Sequence, residues 1–295
     1  MIAFLIDPHL RFKNNPPIGR TNSYYSDIYD KLEDLADQLV SREIKYLILS
    51  GDILDIKQPS RYNFRNIQDI KAYFDMFKNK GIQVYSIYGN HDKDPKDNES
   101  VYDFLHKYLK CFEDISNKTI TIGDCTIEGI PYNTEVEEVK QKILDSNADI
   151  VVCHEHLVPD NYNLPDQVHR IYYSDLSNTK AQFIVAGHLH EEIPLTTINN
   201  TTIANPPSLS RMHRNTYTLS GNHIPSYYIL GEDKYTPLKC KPLKDVIIED
   251  ISKTLVKQQQ RLQINFESVS TSKELDLSFL PKESLELIDT YLEKD

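Results

Sequence analysis

The sequence predicts an α/β fold built as a two-sheet sandwich, and three features carry that prediction. Short apolar runs (MIAFLI, YLILS, IQVYSIY, DIVVC and AQFIVA) alternate with segments of helical periodicity, the pattern of βαβ units and a parallel sheet. After residue 190 short strands follow one another without helices: PLTTI, TTIAN, TYTLS and SYYIL. They call for a second sheet packed on the first. At 295 residues, 39% hydrophobic and 26% charged, the chain is long enough to bury a sizeable core without staples.

The elements follow in order. MIAFLI is a buried strand. Residues 27–43 place Ile28, Leu32, Leu35, Ala36, Leu39 and Val40 at helical spacing, with Ser26 or Asp27 as N-cap. YLILS is the second strand. Phe64, Ile67, Ile70, Phe74 and Phe77 mark the next helix, and Gly81 ends it. IQVYSIY is the third strand and VYDFLHKYLKCF a further helix. TITI and CTIEGI form a hairpin around Gly123 and Asp124, residues 135–146 are helical, and DIVVC and AQFIVA are strands. Residues 159–180 read as a polar surface loop. The chain divides into a domain over 1–235 and a small C-terminal region over 236–295, which closes on an amphipathic helix bearing Leu285, Ile288 and Leu292.

The net charge of −11 means that no broad basic surface advertises nucleic acid or an anionic membrane. It leaves room for a local basic rim. Cys111, Cys125, Cys153 and Cys240 are widely spaced and read as reduced thiols, mostly small core residues. The opening MIAFLIDPH is too short and too soon acidic for a signal peptide, and no apolar run approaches about 18 residues. The expectation is a cytoplasmic protein without a membrane contact.

Chemistry gathers where the apolar runs end. MIAFLI is followed by Asp7, Pro8 and His9; YLILS by Gly51 and Asp52; IQVYSIY by Gly89, Asn90, His91 and Asp92; DIVVC by His154; and AQFIVA by Gly187, His188, Leu189 and His190. In an open parallel sheet, ligands bind beyond the carboxyl ends of the strands. Five segments therefore deliver carboxylate, imidazole and amide groups to one rim. Imidazole with hard oxygen ligands suits Mn, Fe or Zn better than Ca or Mg. Asp52 is able to bridge two ions, and two ions about 3.5–4 Å apart clamp a phosphoryl group and activate a water. His154 leaves its strand directly, and His156 two residues on reads as surface.

In this order D-x-H, G-D, G-N-H-D, H and G-H-x-H resemble the motifs of the calcineurin-like metallophosphoesterase superfamily. "SGDILDIKQPSRYNF" and "TTIANPPSLSRMHRNTYTLSGNHIPSYYIL" resemble segments of the SbcD-type DNA repair nucleases of bacteria and phage. The resemblance covers about residues 1–235, with departures at Pro8 and at Pro207, where the family has Gly. It implies an α/β/β/α sandwich of the metallophosphoesterase type and two divalent ions, Mn foremost, with Fe or Zn as alternatives. Asp7, His9 and His190 would hold one ion, Asn90, His154 and His188 the other, and Asp52 both. His91 would act on the scissile phosphate. Asp92 would orient His91 or serve as a turn residue bonded to its own backbone.

The resemblance further implies a DNA nuclease that processes double-strand ends, a homodimer, and an SbcC-like coiled-coil ATPase partner docked on the C-terminal helix, 281–293. Arg11, Arg20, Lys57 and Arg61, with Lys13 and Arg65 nearby, are the basic residues on the metal rim expected to track a DNA backbone. Tyr24, Tyr25 and Tyr62 are expected to stack on bases. The alternative function is a small-substrate phosphodiesterase or phosphatase acting on cyclic nucleotides or phosphoproteins, which would use the same motifs.

Overall fold

A computed structural model describes residues 1–11, 19–55, 64–93, 100–165, 167–211 and 216–247, with the side chains of 64–66 and 216 left aside. The chain divides into two compact units, 1–248 and 249–295, and the described residues belong to the first. The expected C-terminal helix lies outside them.

Two six-stranded sheets form the centre. The first runs β14 (Thr236–Pro237), β13 (Ser226–Ile229), β1 (Ile2–Leu5), β2 (Tyr46–Ser50), β3 (Gln83–Ile87) and β4 (Glu113–Asp114). The second runs β11 (Ile193–Ile198), β12 (Thr201–Asn205), β10 (Phe183–Gly187), β7 (Ile150–His154), β6 (Cys125–Ile130) and β5 (Lys118–Ile122). In the first sheet β1 to β4 are parallel, and β13 pairs antiparallel with β1. In the second β12, β10, β7 and β6 are parallel, with antiparallel β11 and β5 at the edges.

Strand alternation sorts the apolar side chains into three layers. Ile2 and Phe4 of β1, Ile48 of β2, Ile87 of β3, Ile150 and Val152 of β7 and Val185 of β10 meet between the sheets. Their neighbours point the other way. Ala3, Leu5, Leu47 and Leu49 meet α1 (Tyr24–Ser41), α2 (Phe64–Asn79) and α3 (Val101–Lys107). Val151, Cys153, Ile184 and Ala186 meet α4 (Val136–Asp145) through Val139 and Ile143. The result is the expected α/β/β/α sandwich. Both faces of the central strands are buried, which is why these strands read as unbroken apolar runs.

Four local readings are corrected. α1 begins at Tyr24 after Ser23, earlier than the periodicity placed it. α3 stops at Lys107, because Phe112 turns inward beside Phe74, ring centroids 5.3 Å apart, and β4 starts next. TYTLS is a helical turn, α5 (Thr216–Leu219), not a strand. The stretch 159–180 is not only surface loop. β9 (Ile171–Tyr172) pairs with β8 (Leu157–Val158), and the 3-10 turn Tyr173–Leu176 buries Tyr173 and Leu176 in the second core. Its apolar residues follow neither period, so no pattern reveals them. All four cysteines are free thiols, with Cys153 buried and Cys240 exposed. Among the described residues no helix is long and apolar enough to cross a membrane.

Candidate metal centre

The carboxyl ends of β1, β2 and β3 in one sheet and of β7 and β10 in the other come together at one end of the sandwich. The strand ends approach so closely there, within the first sheet and between the two sheets, that side chains are excluded at two glycines. A Cβ on Gly187 would lie 2.3 Å from the Ser50 carbonyl oxygen, and one on Gly89 would lie 2.1 Å from Asp52 Oδ1. The backbone is bent as well. Asp7, His9 and Asp52 each adopt φ +46°, and His188 adopts φ +88°. Left-handed conformations cost free energy for residues with a Cβ, and they concentrate where function over-determines the chain. Here all four residues belong to the set expected from sequence to bind metal.

The side chains form two adjoining groups. Ligating atoms of Asp7, His9 and His190 all lie within 4.8 Å of one another, as do those of Asp52, His154 and His188. His9 Nε2 is 2.9 Å from His190 Nε2, and His154 Nε2 is 3.1 Å from Asn90 Oδ1. Atoms bound at right angles to one ion at about 2.1 Å lie about 3 Å apart, so the spacing and the nitrogen and oxygen donors fit divalent ions. Asp52 Oδ2 joins the groups, 3.7 Å from His9 Nε2 and 3.4 Å from His154 Nε2. The other ring nitrogen of His154, Nδ1, donates to the Ser50 carbonyl at 2.7 Å, an outer bond that turns Nε2 toward Asp52. Asp7 accepts the His188 backbone N–H, 3.0 Å to Oδ2.

The charge balance also fits a cation site. Burial drives the Asp7 carboxyl up to about 8. Burial opposes charge on His154 too, but the facing Asp52 outweighs it and carries the imidazole up to about 10. The same contact keeps Asp52 below the usual carboxylate range against its own burial. His188 is pushed far down by burial and by neighbouring His154. Two fully buried carboxylates face a ring of imidazoles, and a divalent ion would remove the cost of charging them together.

His91 stands beside this cluster. Its backbone N–H donates to Asp52 Oδ1 at 2.8 Å, and its ring meets His9 edge-on at 5.0 Å between centroids. Its side chain is 38% exposed, the accessibility a substrate-facing group needs. Asp92 faces backbone N–H groups of two loops. Its two oxygens accept the N–H groups of Gly89 at 2.8 Å, Leu54 at 2.8 Å and Ile53 at 3.3 Å. Asp55 stands beside the His91 ring, with Oδ1 3.6 Å and the backbone carbonyl 3.3 Å from Nδ1. Asp55 also lies 3.8 Å from His9 Nδ1 and pairs with Arg11.

Asp55 was missed in the sequence although it stands in the quoted GDILD stretch. His156 was read as surface, yet its ring lies 4.0 Å from that of His188, beside buried Glu155. Of the expected DNA contacts, Lys57 and Arg61, like Lys13, Tyr62 and the Arg65 side chain, lie outside the described residues. Arg11 reaches the rim through Asp55. Arg20 does not face solvent: it is 3% exposed, with its guanidinium on the carbonyls of Arg211 and Gly19. Tyr24 and Tyr25 are buried as well, so neither offers a ring to a base.

The chain is similar to several known proteins. The DNA double-strand break repair protein Mre11 of Sulfolobus acidocaldarius is 27% identical over 176 residues, covering 56% of this chain and 44% of that protein. The chain thus spans less than half the length of that relative. Among solved structures, TT1561 of Thermus thermophilus aligns with a TM-score of 0.47 at 11% identity, covering 82% of this chain and 98% of that one. A dimetal phosphatase from Danio rerio aligns with a TM-score of 0.38 at 13% identity, covering 70% and 87%. The profile of the calcineurin-like phosphoesterases matches residues 2–192, a span that holds every side chain gathered at the strand ends. The chain belongs to the calcineurin-like phosphoesterase family.

Proposed function

We propose that this chain is a metal-dependent phosphoester hydrolase, a two-metal DNA nuclease of the SbcD type that processes double-strand ends, with Mn as the working ion. The observation that carries the two-metal part is the position of Asp52 Oδ2 between His9 and His154, 3.7 and 3.4 Å from their ring nitrogens. Asp7, His9 and His190 would hold one ion, Asn90, His154 and His188 the other, and Asp52 both. A bound pair of divalent ions polarises the phosphoryl group and lowers the pKa of a coordinated water toward neutrality.

The protein's own groups do the rest. His91, the accessible imidazole of the rim, contacts the scissile phosphate and passes a proton to the leaving oxygen, a role worth about 10²–10⁴ in rate. The Asp55 carbonyl and carboxylate orient the His91 ring from the Nδ1 side. Asp92 binds three backbone N–H groups and so fixes the turn on which Asn90 and His91 sit. Asp7 receives the His188 N–H and couples the two strand ends.

DNA as substrate is supported by the likeness to the archaeal repair protein and by the SbcD-like segments. Docking of an SbcC-like ATPase on the helix at 281–293, homodimerisation and a bacterial or phage host belong to the same reading. The deciding experiment is nucleotide release from linear double-stranded DNA by the purified chain with Mn²⁺, Mg²⁺ or EDTA. We expect Mn-dependent release that His91→Asn abolishes while its ions stay bound. Hydrolysis of a small phosphodiester with DNA untouched, even with an SbcC-type ATPase added, would favour the small-substrate alternative.

A further inference from the structure

We infer that Asn205, at the end of β12, is a positioning residue that sets the backbone of the His190 loop and with it the geometry of one ion site. This rests on the assignment of His190 as a ligand. Asn205 is fully buried, and its Nδ2 donates to two carbonyls, Leu189 at 3.0 Å and Glu191 at 2.9 Å. The carbonyl between them, that of His190, accepts the backbone N–H of Ser208 at 3.1 Å. Three consecutive carbonyls, on either side of the His190 Cα and at it, are therefore held by one facing segment, residues 205–208. The next residue continues the contact, because the Leu209 N–H donates to the Ile6 carbonyl at 3.2 Å, beside Asp7.

The composition of the segment explains why a side chain is needed. Between Asn205 and Ser208 stand Pro206 and Pro207, which have no N–H to give. The backbone N–H of Asn205 itself is spent on the Tyr235 hydroxyl at 2.9 Å. A buried carbonyl left unmatched is costly, so the carboxamide supplies the two donors that the backbone lacks. Both neighbours are acceptors, which fixes the amide orientation. Among the described residues Asn205 Oδ1 has no hydrogen-bond partner, and the bonds the side chain makes are those of its two donors. Outer contacts of this kind typically change metal affinity about 10–100-fold when removed.

The test uses the full chain stripped of metal, with Asn205→Leu (near in shape, no donors) and Asn205→Ala as two routes to the same loss. Tyr235→Phe is the control, since it removes the neighbouring tie and leaves the carboxamide bonds. The first readout needs no metal: the imidazole resonances of His190 in the metal-free protein should shift in both Asn205 variants and not in Tyr235→Phe. The second is a titration with Mn²⁺ alone. One ion should bind about 10–100-fold more weakly, and the other should bind as in the parent. Unshifted His190 resonances, or two ions weakened equally, would overturn the inference. His190→Ala run beside them separates the two readings. If it leaves Mn²⁺ binding unchanged, the ligand assignment has failed, and the ring resonances still decide the role of Asn205.

Discussion

Gly89→Ala tests the claim that the two strand ends are pressed together to build the centre. The added Cβ would lie 2.1 Å from Asp52 Oδ1, 2.4 Å from the Asp52 backbone nitrogen and 2.7 Å from Cγ. Contacts under 3.0 Å are essentially never seen for a Cβ, so the parts must separate by about 1 Å. Because the nitrogen belongs to the backbone, a change of side-chain rotamer cannot relieve the clash, and the turn after β2 has to move. That carries away the candidate bridging carboxylate and strains the His91 N–H bond to Asp52, 2.8 Å in the native site. Overpacking of this kind costs about 1–3 kcal/mol of stability, and a misplacement of about 1 Å costs about 10²-fold in catalysis. The assay is Mn²⁺-dependent hydrolysis of an activated phosphodiester, bis(p-nitrophenyl) phosphate, beside urea unfolding. Gly81→Ala is the comparison. Its Cβ meets nothing, but its φ of +75° makes it about 1–2 kcal/mol less stable with turnover intact. Equal turnover in Gly89→Ala and the parent would refute the reasoning.

Three further outcomes follow from buried polar groups. Asp27→Ala should cost about 3–5 kcal/mol in urea unfolding, because it strips the carboxylate from buried Lys31 at 3.0 Å and from Arg211 at 2.9 Å. His223 is held down at about 4, chiefly by burial. The fold favours its neutral form, so its contribution is full above pH 6.5 and is lost as the pH falls toward 4, by up to about 3 kcal/mol. Between pH 7.5 and 4.5 the parent should therefore lose more stability than His223→Gln. Asp55→Asn should leave both ions bound but lower kcat about tenfold or more, since it weakens the group that orients His91; unchanged kcat would remove Asp55 from that role.

The sandwich and the rim of the site were legible because both rest on local pattern. Unbroken apolar runs, buried on both faces, alternate with helical periods and mark the central strands, and the residue that follows each run is at the rim by construction. What stayed hidden depends on the chain folding back on itself. Arg20 read as a solvated rim charge, yet its partner is the carbonyl of Arg211, which no local window contains. Asp27, Lys31 and Arg211 form a buried ionic group across the same distance. Asp52 and Asp55 are equivalent as letters of GDILD, and only the turn that brings the second beside His9 and His91 separates their surroundings. Asp92 read either as a group that orients His91 or as a turn residue, and its oxygens accept the N–H of Gly89 in its own turn and those of Ile53 and Leu54 from the loop after β2, which no local window contains. TYTLS alternates like a strand and still forms a helical turn, because Thr218 is drawn in against His223, 3.4 Å from its Nδ1. Gly89 and Gly187 were visible as turn residues, and the close approaches that require them, of Gly89 to Asp52 on the adjacent strand end and of Gly187 to Ser50 in the facing sheet, were not.

A pair of ions joined through Asp52 is tested by electron paramagnetic resonance of the metal-free chain titrated with Mn²⁺. We expect two ions per chain with the spectrum of an exchange-coupled pair about 3.5–4 Å apart, and loss of the coupling in Asp52→Asn. One ion per chain, or two uncoupled ions indifferent to Asp52, would contradict that expectation.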